Sequence, residues 1–164
     1  MKRTALVCAF FLALGIAALA VAPDSGGAKS VPRLVSGVMD GRFVFAGPWE
    51  GPWTTTGDVT GTLRHLGLAK LHTEHTASPD GTLSGGEFTL VAANGDMLWG
   101  SYEASGEWVS GTEVQGNAQF AIAGGTGRFA GATGTLTAGF LETFDDPYFA
   151  SARVTWALVG TVKY

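Results

Sequence analysis

Three histidines crowd residues 65–75, and imidazoles this close together make metal binding the first chemistry to weigh. A zinc site needs three or four converging ligands, whereas a β-strand turns residues of opposite parity to opposite faces. His65 and His72 differ in parity, as do His72 and His75, so no metal site is expected. His72 and His75 read instead as solvated strand residues. His65 shares its parity with Val59 and Leu63, which turns it inward near the end of its strand. There it suits either a hydrogen-bonded core histidine or an acid–base group. Tyr102 and Glu103 are the further acid–base candidates. The carboxylates Glu87, Glu103, Glu107, Glu113, Asp145 and Asp146 are scattered along the chain, with Asp145-Asp146-Pro147 reading as a solvated turn. A glycosidase-type pair depends on a spatial separation, and no such pair is assigned. No Gly-x-Ser-x-Gly nucleophile elbow occurs.

A second chemistry is stacking. Trp49 and Trp53 lie in Gly47-Pro48-Trp49-Glu50-Gly51-Pro52-Trp53, where Pro and Gly mark a loop. Two indoles on a stiff loop suit a lid or platform for an apolar or sugar-like ligand; they suit a plug in the mouth of the domain equally well. Trp99, Trp108 and Trp156 are expected at core or rim positions.

These side chains need a scaffold, and the apolar pattern supplies one. From Val114 through Gly116, Ala118 and Phe120 to Ile122, alternate residues are apolar or small, with Glu113, Gln115, Asn117 and Gln119 opposite. Val154, Trp156, Leu158 and Val162 repeat the pattern near the C-terminus. Asn94-Gly95 and Ser78-Pro79-Asp80-Gly81 are hairpin signals. Eight strands are expected, at 33–45, 56–65, 67–76, 82–92, 97–105, 113–122, 132–143 and 152–163. Eight antiparallel strands with short connections predict an all-β up-and-down barrel, which removes exposed edges. A two-sheet sandwich is the rival arrangement. Such a barrel is filled by side chains or holds one small ligand.

The chain has 164 residues, of which 46% are hydrophobic and 15% charged, so disorder throughout is excluded. A net charge of −4 argues against electrostatic capture of nucleic acid. Met1-Lys2-Arg3 followed by an uncharged run to Ala22 reads as a signal peptide cut after Ala20, residues 1–20. An uncleaved anchor is the alternative for the same segment. Residues 21–32 form a flexible linker and 33–164 the barrel domain. Cys8, the single cysteine, falls in the leader, which leaves no thiol chemistry for the mature domain.

Residues 123–134 (Ala123-Gly124-Gly125-Thr126-Gly127-Arg128-Phe129-Ala130-Gly131-Ala132-Thr133-Gly134) are the most distinctive run. Gly124, Gly125, Gly127, Gly131 and Gly134 allow a tight structural cap with Phe129 turned into the core. The spacing Gly125-x-Gly127-x-x-x-Gly131 departs from a dinucleotide fingerprint, and no helical pattern or Walker Lys follows. The run resembles the Gly-Gly-Thr-Gly-x-Phe segment of the allene oxide cyclase and dirigent barrel superfamily. His65-Leu66-Gly67 and Ala92-Ala93-Asn94-Gly95-Asp96 resemble segments of small exported bacterial proteins sharing that barrel. The resemblance implies the fold, and a dimer or trimer fits it. The catalytic carboxylates, Arg and Tyr of the superfamily have no matching motif in this chain.

Three functions are consistent with these readings. The first is an exported barrel, secreted or periplasmic, that binds a small apolar ligand or serves as an interaction module without catalysis. The second is a cofactor-free isomerase or cyclase acting on a hydrophobic substrate. The third is an extracytoplasmic structural or adhesive protein. No cofactor is expected, nucleic acid is not an expected partner, and the membrane is met only through the signal segment before cleavage.

Overall fold

The computed structural model describes residues 31–48, 50–145 and 148–164. The expected signal peptide, nearly all of the expected linker, Trp49 and Asp146 lie outside the described residues. Eight strands follow one another: β1 (Pro32–Ala46), β2 (Trp53–Leu63), β3 (Gly67–Ala77), β4 (Leu83–Val91), β5 (Met97–Trp108), β6 (Glu113–Gly125), β7 (Thr133–Phe144) and β8 (Ser151–Lys163). Each pairs antiparallel with the next, and β1 pairs with β8, so the sheet closes into a barrel. Closure leaves no lengthwise edge. It replaces the sandwich alternative.

Local chemistry explains the connections. At the β4–β5 turn Gly95 N donates to Ala92 O at 2.9 Å, and Ala92 N donates to Asp96 O at 2.9 Å. At the β3–β4 turn Gly81 N donates to Ser78 O at 3.0 Å, and the Asp80 carboxylate accepts from the Thr82 hydroxyl at 2.7 Å. Along each strand alternate side chains face the interior, as with Val35, Met39 and Phe43 on β1 and Leu136, Ala138 and Phe140 on β7.

Aromatic rings fill the middle of the barrel. Trp156 lies 5.9 Å from Phe43, 5.2 Å from Phe120 and 5.8 Å from Phe140, centroid to centroid. Tyr102 stacks on Phe120 at 5.0 Å. This packing requires Gly57 on β2, where a Cβ would stand 1.9 Å from Phe43 Cε1 and 2.6 Å from Thr73 Oγ1. Gly57→Ala is therefore expected to cost about 3 kcal/mol in urea unfolding, the upper range for overpacking a dense core.

One end of the barrel is sealed. Gly124 and Gly125 end β6, Gly127 and Phe129 belong to a single 3-10 turn (Gly127–Phe129), Gly131 precedes β7 and Gly134 is its second residue. Phe129 is fully buried. Its ring meets Tyr164 edge-on at 4.7 Å. Leu66, buried in the β2–β3 turn, accepts Ala93 N at 3.1 Å through its carbonyl. Arg128 N donates to Asp96 Oδ2 at 3.1 Å. These contacts join three separate connections into one floor.

Candidate functional site

Among the described residues the opposite end is open. There Trp53 of β2, Leu83 of β4, Trp108 of β5 and Phe140 and Phe144 of β7 surround a cavity of about 150 Å³, whose ionisable lining is His75 and Glu142. A wider recess of about 540 Å³ shares Trp53, Pro79, Trp108 and Phe144 with it and adds Phe45, Glu50 and Phe149. The rim is an aromatic cluster: Phe144 lies 5.3 Å from Trp108, 5.3 Å from Phe45 and 5.1 Å from Phe149.

His75 reaches this site because β3 alternates Ala69, Leu71, Thr73 and His75 toward the interior. Opposite it, the β3–β4 register shifts between Glu74 and Thr76, and Gly85 takes φ +64°. Two β4 residues, Gly85 and Gly86, thus face one on β3. A glycine in the left-handed region lets such a bulge form. The bulge also moves the inward set of β4 from Leu83 to Gly86, Phe88 and Leu90.

The electrostatics follow from burial. His75 is 4% exposed, and its Nδ1 shares a hydrogen bond with the Tyr102 hydroxyl. Burial lowers its pKa from 6.5 to about 4, so the ring is neutral at pH 7. Burial is also the main cause that pushes the Tyr102 hydroxyl above its ordinary value; the Thr73 hydroxyl opposes this and the Glu142 charge adds to it. Glu142 is 8% exposed. Among the described residues none supplies it with a hydrogen bond or a cation, and burial raises its pKa to about 7. Near neutral pH it is therefore shared between a donating acid and an accepting carboxylate. Among the described residues no Lys or Arg lines either space, so an anionic ligand would meet no counter-charge from them.

The expected site residues divide. Tyr102 faces inward but does not line the cavity, which it reaches through its hydrogen bond to His75, and half-buried Trp53 forms part of the cavity wall. Glu103, next in sequence, is exposed on the outer surface. His65 differs from expectation. It sits on an exposed turn at the sealed end with φ +67°, and its carbonyl accepts from the Arg128 guanidinium at 3.3 Å. The turn ends the strand before His65, so strand parity no longer places it.

His75 also corrects the reading as a solvated residue, since it is buried at the site floor. His72 is exposed, with Nδ1 2.9 Å from Asp58 Oδ1. Among the described residues no group of three or more His, Cys, Asp or Glu could hold a metal ion. Trp108 is on the rim, Trp156 is in the core, and Trp99 is 40% exposed on the outside. Asp145 lies outside the cavity, paired with Arg42 at 3.1 Å and Arg153 at 2.8 Å. A groove of about 550 Å³ on the outer face of β3–β5 carries His72, Glu74 and Glu87, all exposed. It lacks a buried polar group comparable to Glu142.

Fold and site together define a closed eight-stranded antiparallel barrel, sealed at one end and aromatic at the other. No family model and no curated protein matches the chain. A solved structure, that of a pterocarpan synthase dirigent protein, is similar to it with a TM-score of 0.44 and 15% identity, covering 81% of this chain and 86% of that one.

Proposed function

We propose that this protein is an exported, dirigent-like barrel that binds a small, mostly apolar molecule at its open mouth. The observation that carries the reading is a buried carboxyl, Glu142, set among Trp53, Trp108, Phe140 and Phe144 and paired with no described residue. Ligand sites are concave and mostly apolar, with a few placed polar groups. The filled middle of the barrel supports a reading in which the ligand binds at the rim. A cavity of this size takes a benzene-sized group, and the wider recess takes the rest of the molecule. Export rests on the composition of residues 1–20.

The neutral probe N-phenyl-1-naphthylamine is expected to bind saturably with a rise in its fluorescence. Trp53→Ala should weaken it about tenfold, the effect of losing one aromatic anchor. Absence of a saturable signal would remove the reading.

The Tyr102–His75 hydrogen bond beside Glu142 favours a second reading, cofactor-free isomerisation or cyclisation of a hydrophobic substrate. A carboxyl titrating near neutrality is suited to moving a proton. Ring opening of 5-nitrobenzisoxazole, in which a base takes the C–H proton as the N–O bond breaks, reports such a base. A rate no faster than in buffer, for the wild type and for Glu142→Gln alike, would leave binding alone.

A further inference from the structure

We infer that the mouth is built for a small organic cation, an amine on an aromatic or short apolar body, with Glu142 as its counter-ion. The inference rests on the ligand-binding reading above and narrows its ligand class.

Glu142 is more than nine-tenths buried and no described residue pairs with it. A buried charge without a partner is costly, and removing that cost favours any ligand that brings the opposite sign. Among the described residues the lining holds no Lys or Arg to do this from within. Arg42 and Arg153 offer nothing either: both face outward, are exposed and are engaged with Asp145. The largest side chains of the wall are aromatic, Trp53, Trp108, Phe140 and Phe144, beside the smaller Ala77, Pro79, Leu83 and Val114. Aliphatic walls would serve a neutral ligand equally well, whereas aromatic rings attract a cation through their quadrupole. The dimensions agree. About 150 Å³ holds an ammonium group with little more than one ring, next to a recess of about 540 Å³.

Other titratable groups do not compete for the role. His75 on β3 is neutral at pH 7 and bonded to Tyr102 on β5. Glu50 and Tyr148 border the outer recess. Beside Glu142, β6 and β8 present Val114 and Val154. A cation would hold Glu142 in its charged form, so at pH 6 binding must release a proton that the free protein keeps on the carboxyl.

Isothermal titration of the barrel protein with benzylamine, charged at pH 6 and pH 8, and with benzyl alcohol, its neutral analogue, tests the inference. Benzylamine is expected to bind at least tenfold more tightly at pH 8. At pH 6, titration in buffers of different ionisation enthalpy should show most of one proton released per site. Glu142→Gln should bring the two ligands to equal affinity. Equal affinities in the wild type, a preference that survives Glu142→Gln, or no proton release would overturn the inference while leaving the apolar site standing. If neither ligand binds and the naphthyl probe also fails, the ligand-binding reading falls with it. Proton release is read on the wild type, so the outcome does not depend on how the variant folds.

Discussion

Phe129→Ala is expected to destabilise the protein by about 4 kcal/mol, measured as a lower urea midpoint at unchanged slope. Deleting a buried ring costs its transfer free energy plus a cavity term, and the cavity term is large only where the surroundings cannot close in. Here they are pinned. Met97 N donates to Thr126 Oγ1 at 2.9 Å, Arg128 N to Asp96 Oδ2 at 3.1 Å, and the Arg128 guanidinium to His65 O at 3.3 Å. The ring also carries an edge contact with Tyr164 and the Arg128 guanidinium 4.6 Å from its centroid. Phe129→Leu keeps most of the volume, so its cost is expected to be about 1 kcal/mol. Because the site lies at the other end, Phe129→Leu should bind the naphthyl probe as the wild type does. A loss below about 1 kcal/mol for Phe129→Ala, well under the range for such truncations, would mean that residues 123–134 do not seal the barrel.

The sequence made this floor and the strands visible because both are written locally. Alternation along β6 and β8 depends on neighbours two residues apart, and Asn94-Gly95 and Ser78-Pro79-Asp80-Gly81 specify their turns unaided. The site is different. Glu142 has the parity of Leu136, Ala138 and Phe140, and His75 that of Leu71 and Thr73, so the inward direction of each was readable. Polarity argues for solvent at both positions and parity for the interior, and in the structure parity prevails. That β3, β5 and β7 bring His75, Tyr102 and Glu142 to one end is a matter of stagger around the cylinder. No single strand carries that information. His65 is the opposite case: β2 ends at Leu63, so strand parity has no meaning two residues further on. The bulge at Gly85 and Gly86 shows the same limit, since it shifts the phase of β4 midway.

Glu142→Leu is expected to gain stability over the wild type by about 3 kcal/mol more at pH 8 than at pH 4, measured by urea unfolding across that range. The folded-state pKa of Glu142 is raised from 4.5 to about 7. Its contribution is therefore fully present below pH 4.5 and is lost as pH rises through 7. His75 has the reverse sign. Its folded-state pKa falls from 6.5 to about 4, so its contribution is present above 6.5 and is lost as pH falls through 4. Between about pH 4.5 and 6.5 the two slopes oppose each other, and the wild type conceals both. Removing either group exposes the other. Glu142→Leu should lose about 3 kcal/mol between pH 6.5 and 4, and His75→Phe should lose a similar amount between pH 4.5 and 7. An advantage for Glu142→Leu that stays constant with pH would place the carboxyl in solvent, and the open mouth would then have no charged floor. The opposed slopes have a consequence for binding. The cavity lined by His75 and Glu142 is close to neutral at pH 5 to 6 and becomes negative above 7, where His75 no longer changes charge and Glu142 does. A ligand that reduces the cost of that negative charge must stabilise the wild type more at pH 8 than at pH 5, and must do nothing of the kind for Glu142→Leu.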